Sequence, residues 1–270
     1  MKPYNDTDGK KEQVRAMFDG IARRYDLLNH LLSLGVDRGW RRRVVRAVRA
    51  ERPRSVLDMA TGTADLAIML AKSCPGARVV GVDLSERMLA VGRSKVERES
   101  LSERIELVQG DAESAAYGRE AFDAATVAFG VRNFEDIPGG LTGLFSALRP
   151  GGKLFVLEFG MPRGRIFGTV YRFYFHRVLP RLGGWVSRDG KAYSYLPRSV
   201  DEFPYGCWRK RALRIATAGI FSEAWRRFIR PAGRTRVKKL KKDDEHEKSM
   251  DRGGVRVGRR VVRPHGGYLL

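Results

Sequence analysis

The sequence predicts an α/β fold with a doubly wound, mostly parallel sheet, and three features support this. Short apolar runs alternate with helical patterns between residues 55 and 158, which is typical of strands connected by crossover helices. The first run is followed at once by a loop of small residues that leads into a helix. Several runs also end at a carboxylate or a glycine. Because parallel sheets bind ligands beyond the carboxyl ends of their strands, one crevice is expected there.

The predicted elements follow in chain order. Two amphipathic helices, 10–28 and 39–49, come first, and we expect them to cover the mouth of the crevice. The remaining predicted elements are strands at 55–59, 77–83, 105–109, 121–129 and 153–158, separated in part by helices at 66–72, 86–96 and 137–148. An aromatic insert at about 160–200 then breaks the alternation. Its rings are typical of a core or dimer interface, or equally of a wall for a hydrophobic substrate.

Composition divides the chain into three parts: an N-terminal helical cover at 1–50, a core at 51–230 and a basic tail at 231–270. The net charge is +21, and residues 205–270 hold 19 Lys and Arg against 6 Asp and Glu. Such a tail can contact an anionic membrane or nucleic acid, although a solvated, partly disordered end has the same composition. The sequence contains no run of about 18 uncharged apolar residues, so no membrane span is predicted. A polar N-terminus and only two cysteines are typical of a cytoplasmic protein.

The loop Ala60-Thr-Gly-Thr-Ala64 indicates a nucleotide-type cofactor. Its small residues let a ligand approach the backbone, and Thr63 and Asp65 are expected to cap the next helix. Asp83 ends the second strand 21 positions after Gly62. A βαβ unit places an acid against ribose hydroxyls at that distance, so we predict a ribose contact. The alternative is that Asp83 caps the following helix.

The same loop disfavours a dinucleotide. No glycine stands three residues after Gly62, so the pyrophosphate-binding turn is poorly matched. Asp58 places a negative charge where a pyrophosphate would approach, whereas a sulfonium and an ammonium group would be attracted to it. We therefore predict S-adenosyl-L-methionine as the cofactor, with Asp58 and Gly62 among its contacts.

Several longer motifs resemble the ubiquinone and menaquinone biosynthesis C-methyltransferases. Residues 14–29, 129–136, 157–162 and 192–200 are similar to the signatures of that family, and the resemblance covers about residues 12–204. It implies a class I, Rossmann-like methyltransferase fold and cofactor contacts at Thr63, Asp83, Asp111 and Ala112. It also implies methylation of a polyprenylated quinol ring, either demethylmenaquinol or the benzoquinol precursor of ubiquinone.

We predict that substrate orientation and proton handling fall to Arg132 and Asn133, at the end of the fourth strand, with Tyr25, Asp26 and Asn29 from the first helix. Arg132 would stabilise developing phenolate charge, since its pKa is too high for a base. The alternative for Arg132 is a salt bridge with Glu135 or Asp136.

The chain departs from the family pattern at two places. Ala64 replaces the third glycine of the loop, so a methyl group is expected near the methionine moiety of the cofactor. Residues from about 231 onward do not resemble the family, and they are typical either of a lineage-specific tail or of a reading-frame change in the source sequence.

Two other functions remain open. The same fold can methylate another small molecule or RNA, although only the basic tail favours nucleic acid. A degenerate cofactor-binding copy would explain Ala64 and the aberrant C-terminus. The four histidines are scattered, so no metal site is predicted. For a quinol-methylating enzyme, we also expect a homodimer and peripheral contact with the inner face of an anionic membrane.

Overall fold

The computed structural model describes residues 2–4, 7–33, 35–114, 117–159, 169, 173–178, 190–203 and 216–217. The chain divides into two units, Met1–Arg230 and Pro231–Leu270, and all described residues belong to the first. The basic tail, much of the aromatic insert and the side chain of Asn29 therefore lie outside the described residues. No helix among those described is both long and apolar enough to cross a bilayer.

The elements follow one another in the predicted alternation. Two helices come first, α1 (Lys10–Leu32) and α2 (Val36–Ala50). The core then runs through β1 (Ser55–Met59), α3 (Asp65–Ser73), β2 (Arg78–Asp83), α4 (Glu86–Arg98), β3 (Ile105–Gln109), β4 (Phe122–Ala128), α5 (Ile137–Ala147) and β5 (Leu148–Leu157). A 3₁₀ turn (Val131–Asn133), a π-helical turn (Tyr174–Val178), α6 (Gly190–Glu202) and the short strand β6 (Ala216–Thr217) complete the list.

The sheet has the order β3-β2-β1-β4-β5-β6. The first five of these strands are parallel, and β6 is antiparallel to β5. The mostly parallel, doubly wound prediction is thereby confirmed. The strand order reverses between β1 and β4, and this switch point is where a sheet of this kind opens a ligand crevice.

Alternate strand residues pack on opposite faces of the sheet, because successive side chains of a strand point in opposite directions. Val56 of β1 lies in a core with α2, α3 and α4. Its neighbour Leu57 lies in a second core with α5. Both side chains are fully buried. A smaller cluster joins α1 to α6 through Met17, Tyr195 and neighbouring apolar residues.

Two elements begin three or more residues before their predicted starts. Helix α2 begins at Val36, three residues before the predicted start, because Asp37 in its first turn accepts a hydrogen bond from Ser33 Oγ. Strand β5 begins at Leu148 rather than Lys153, because Leu148 pairs with Phe122 before a register shift in the ladder.

Candidate active site

The loop after β1 is built around left-handed backbone conformations at Ala60, Gly62 and Ala64, whose φ angles are 54°, 59° and 64°. Thr61 N–H donates to Val82 O at 3.0 Å, which ties the loop to β2. Gly62 N–H donates to Asp83 Oδ2 at 2.8 Å. The loop therefore turns sharply at the switch point with its backbone held by the neighbouring strand.

The methyl group of Ala64 is fully buried in the core rather than exposed to the crevice. A Cβ atom added to Gly92 of α4 would lie 3.3 Å from it. Two small residues thus allow α4 to approach the loop closely. The methyl group therefore packs against α4 and does not line the crevice.

The predicted capping of α3 is also wrong. Its N-cap residue is Ala64, without a side-chain hydrogen bond. Thr63 Oγ1 instead donates to Asp26 Oδ1 of α1 and accepts from Lys95 Nζ at 3.2 Å. Asp65 is paired with Lys95. These side chains join the loop to α1 and α4, so they are not available to the helix terminus.

Two carboxylates, the buried Asp58 and the partly buried Asp83, lie beneath and beside the loop. Asp58 is 1% exposed and accepts hydrogen bonds from Thr61 Oγ1 at 2.7 Å and Thr126 Oγ1 at 2.6 Å. Burial raises the pKa of Asp58 to about 6. Burial likewise raises the pKa of Asp83 to about 6, against the hydrogen bonds from Ser85 N–H and Gly62 N–H that lower it.

A strand-end crevice opens above this loop and has an empty volume of about 690 Å³ to its mouth. Of the predicted cofactor residues, Gly62, Asp83, Asp111 and Ala112 line it. Asp58 and Thr63 do not line it, because both are buried behind the loop. Their contribution in this arrangement is to hold the backbone of the crevice wall.

Asp83 accepts hydrogen bonds from backbone groups on both sides of the crevice wall. Its Oδ1 accepts from Ser85 N–H at 2.9 Å near the start of α4, while Ser85 Oγ is the cap that accepts from Met88 N–H. Its Oδ2 accepts from Gly62 N–H across the crevice wall. Each carboxylate oxygen has a second lone pair, so Asp83 can still accept from a ligand hydroxyl.

Helix α1 is tied to the rim of the crevice by polar contacts along its length. Lys10 Nζ donates to Arg132 O at 3.1 Å and to Phe134 O at 2.5 Å. Lys11 is paired with Asp111, and Ser85 Oγ donates to Asp19 at 2.6 Å. Because Lys11 occupies one acceptor site of Asp111, a ligand that binds this carboxylate would share it with an ammonium group.

A second cavity, the inner pocket, lies between α1, α2, α6 and the ends of β4 and β5, and it has an empty volume of about 630 Å³. It is lined by Arg132, Tyr195, Phe159, Leu196 and residues of both N-terminal helices. Four residues line both cavities: Phe18, Tyr25, Phe129 and Asn133. The two cavities are therefore neighbours with one shared wall.

Arg132 is a buried cation of the inner pocket. Its Nη1 lies 2.8 Å from Glu158 Oε2 and donates to Phe129 O at 2.6 Å. The predicted alternative partners Glu135 and Asp136 are therefore wrong, because the partner is the residue that follows β5. Although burial opposes it, the carboxylate of Glu158 holds the pKa of Arg132 above its ordinary value. Arg132 Nε is buried, and no described residue is its hydrogen-bond partner.

Asn133 and Tyr195 form the second polar pair of this pocket. Tyr195 Oη donates to Asn133 Oδ1 at 3.2 Å. Burial raises the pKa of Tyr195 to about 12, so its hydroxyl remains a donor at neutral pH. The amide nitrogen of Asn133 is left as a donor at the shared wall.

Asp26 lines neither cavity. Its carboxylate accepts from Thr63 Oγ1 and lies 2.9 Å from Lys95 Nζ. Tyr25, its neighbour in the chain, does line both cavities. The arrangement gives Tyr25 access to a ligand and gives Asp26 the role of positioning the loop.

Sequence reasoning missed Glu158, Tyr195 and the α1 lysines as parts of the site. Glu158 follows the last residue of β5, so the same strand-end rule that selected Asp83 could have found it. No comparable signal marks Lys10 or Lys11, since basic residues on an amphipathic helix are ordinarily solvated. Among the described residues, no three His, Cys, Asp or Glu side chains are grouped to hold a metal ion.

Comparison with known proteins agrees with this geometry. Residues 6–227 match the model of the ubiE/COQ5 methyltransferase family. The chain belongs to this family. It is therefore an S-adenosylmethionine-dependent methyltransferase, and its sheet is the class I, Rossmann-like form.

Curated relatives from three bacteria carry names from quinone biosynthesis. The demethylmenaquinone methyltransferase of Thermus thermophilus is 52% identical over 70% of this chain and 84% of its own length. That of Bacteroides fragilis is 44% identical over 76% of this chain and 84% of its own. The ubiquinone/menaquinone biosynthesis C-methyltransferase UbiE of Geobacter sulfurreducens is 48% identical over 72% of this chain and 76% of its own.

Proposed function

We propose that this family member methylates a ring carbon of a polyprenylated quinol, either demethylmenaquinol, the benzoquinol precursor of ubiquinone, or both. The observation that carries the proposal is the inner pocket, where aromatic side chains accompany the buried guanidinium of Arg132, whose Nε has no hydrogen-bond partner among the described residues. A largely apolar site with a charged donor suits an apolar ring that bears an oxygen. The names of the relatives from Thermus and Bacteroides favour the naphthoquinol.

The residues of the strand-end crevice fit S-adenosylmethionine. Asp83 offers acceptors for ribose hydroxyls, and Asp111 with the backbone of Ala112 offers an acceptor and a donor for the adenine ring. Gly62 lets the backbone approach the ligand, with Asp58 and Thr63 supporting the loop beneath. The bound cofactor supplies an electrophilic methyl group on a sulfonium.

The chain contributes alignment and charge stabilisation. The residues shared by the two cavities, Phe18, Tyr25, Phe129 and Asn133, lie where the quinol ring would have to meet the methyl group. Arg132, kept charged by Glu158, would stabilise the phenolate that makes the ring carbon nucleophilic. The Asn133 amide would orient the same oxygen, and the closed aromatic pocket would exclude water.

Peripheral contact with an anionic membrane at its inner face and homodimerisation belong to this proposal. A long prenyl chain keeps the substrate within a bilayer, so the enzyme would have to meet it at the lipid surface. The exposed ring of Phe173, in the aromatic insert, is available to such a contact or to a second copy of the chain.

The test is methyl transfer from labelled S-adenosylmethionine to reduced demethylmenaquinone and to the demethylated benzoquinol. The full chain is compared with Asp83→Ala, which removes the predicted ribose acceptor. Product from either quinol that is lost in the variant establishes the activity and names the acceptor. A folded protein that binds cofactor but methylates neither quinol contradicts the proposal, and methylation of RNA instead would replace it.

A further inference from the structure

The exposed side of α2 is unusually cationic. Its five exposed arginines, called here the α2 face, are Arg38, Arg42, Arg43, Arg46 and Arg49. The acidic residue of the helix, Asp37, is buried and paired with Arg41 on the inner side. The helix therefore presents positive charge outward along its whole length and places its single carboxylate inward.

Among the described residues, these charges have no acidic partner. Other exposed arginines do have partners, as Arg93 has Glu86 and Arg149 has Asp123. For the α2 face, no carboxylate among the described residues lies within 4.0 Å of a guanidinium nitrogen. Like charges on one helix repel one another, and this repulsion destabilises the fold. An anionic surface outside the chain would reduce it.

Apolar side chains accompany these arginines at the beginning of α2. Val36 is 49% exposed and Trp40 is half-buried, and both line one open groove with Arg38, Arg42, Arg43 and Arg46. An amphipathic surface of arginine with tryptophan is typical of helices that lie at the boundary between lipid headgroups and acyl chains. The exposed valine would not contribute to binding the phosphates of a nucleic acid.

The same end of α2 adjoins the inner pocket. The ring centroid of Trp40 lies 6.0 Å from that of Phe159 and 6.2 Å from that of Phe129, both of which line the pocket. Asp37, three residues before Trp40, and Arg41, the residue after it, line the pocket as well. Trp40 therefore lines the exterior groove and also lies beside aromatic residues of the interior cavity.

We propose that the α2 face docks on an anionic phospholipid bilayer, with Val36 and Trp40 at the lipid boundary and the arginines on the headgroup phosphates. Docking there would set the inner pocket beside the bilayer, so a prenylated quinol could enter without crossing water. The entry of a quinol into the pocket rests on the proposed function. The docking itself rests only on charge, exposure and position.

The test measures partition of the full chain onto vesicles of phosphatidylcholine alone and of phosphatidylcholine with about one-third phosphatidylglycerol. The variant Arg42→Gln/Arg43→Gln/Arg46→Gln is compared with Arg54→Gln/Arg78→Gln/Arg119→Gln. The control removes the same charge from exposed arginines at the opposite, amino-terminal end of the strands. We expect the α2 variant to lose about tenfold or more in binding to anionic vesicles, while the control stays near wild type.

Equal losses in the two variants would overturn the proposal, because binding would then depend on net charge and not on this surface. No loss in the α2 variant would also overturn it, because another part of the chain, such as the basic tail, would then bind the vesicles. Loss of binding to an RNA oligonucleotide with vesicle binding unchanged would also overturn it and assign the surface to RNA. Vesicle binding needs neither quinol nor cofactor. Methylation of a short-chain quinol in solution is measured separately, so failure of the proposed function remains distinguishable.

Discussion

The strand-end crevice and the inner pocket share one wall but are built in different ways. The crevice is lined by residues at the ends of β1, β2, β3 and β4 and by one side of α1, and backbone N–H groups such as that of Gly62 shape it. The inner pocket takes side chains from α1, α2, α6 and the segments after β4 and β5. The difference teaches that local strand-end geometry positions much of the first cavity, whereas the second depends on packing between distant segments.

If the two cavities have separate functions, their variants should fail in separate ways. The largest expected effect is that of Arg132→Gln, because it removes the charged donor from the pocket and leaves the buried Glu158 unpaired. We expect kcat to fall by about a hundredfold or more, as for the loss of one donor to a developing oxyanion. Cofactor affinity, measured by calorimetry, should remain near wild type.

An unpaired buried carboxylate also costs about 3–5 kcal/mol of stability, so the single variant needs a partner experiment. Arg132→Gln/Glu158→Gln removes both charges and should fold with nearly normal stability. Wild-type kcat in this double variant would show that Arg132 has no part in the chemistry.

The crevice is tested by Asp83→Asn, for which we expect the next largest effect. One carboxylate that accepts from Gly62 and Ser85 becomes an amide with a single acceptor oxygen. Hydrogen bonds to a charged group contribute about 1.5–3 kcal/mol, so cofactor affinity should fall by about tenfold to a hundredfold. The rate at saturating cofactor should change little.

Asp123→Asn is the matched control for that variant. Asp123 also accepts from two backbone N–H groups, those of Arg54 and Ser55, but lies near the start of β4 away from the crevice. It should lose stability and keep its cofactor affinity. Equal losses of affinity in the two variants would mean that Asp83 acts through general stability alone.

A third prediction concerns pH and Asp58. Burial raises the pKa of Asp58 from its ordinary value of 3.8 to about 6, so the folded state binds this proton more tightly than the unfolded state. This contribution to stability is present below pH 4 and is lost as pH rises to about 6. At pH 7 the buried charge costs up to about 3 kcal/mol.

Asp58→Asn should therefore raise the melting temperature at pH 7 and flatten the change between pH 4 and 6. Asp123→Asn should behave oppositely: although burial opposes it, the N–H groups of Arg54 and Ser55 hold the pKa of Asp123 below its ordinary value. Its stabilising contribution is present above pH 4 and is lost as pH falls. A lower melting temperature for Asp58→Asn at pH 7 would contradict the prediction.

The smallest effect is expected for Tyr195→Phe, which keeps the ring and removes the hydroxyl that donates to Asn133. Loss of one neutral hydrogen bond costs about 1 kcal/mol, so kcat should fall by about fivefold with unchanged cofactor affinity. A fall as large as that of Arg132→Gln would make Tyr195 a direct contact of the reacting oxygen rather than a support for Asn133.

The sequence predicts the fold and most of the crevice. The apolar run at 55–59 predicted a strand, since parallel strands buried on both faces are nearly continuous in hydrophobicity. The ends of the predicted strands then selected Asp83 and Asp111, because parallel strands place their carboxyl ends along one edge. The capping role assigned to Thr63 failed because tertiary partners competed for its hydroxyl.

Pairings between distant residues were accessible only from the folded chain. Arg132 and Glu158 are 26 positions apart, Asn133 and Tyr195 are 62 apart, and Asp26 and Lys95 are 69 apart. Hydrophobic periodicity specifies which side of an element is buried but not which residue of another element faces it. The sequence alone thus determined the sheet, the switch point and the strand-end carboxylates. Helix packing decided which side chains line the inner pocket, because close packing selects one partner among many of similar polarity.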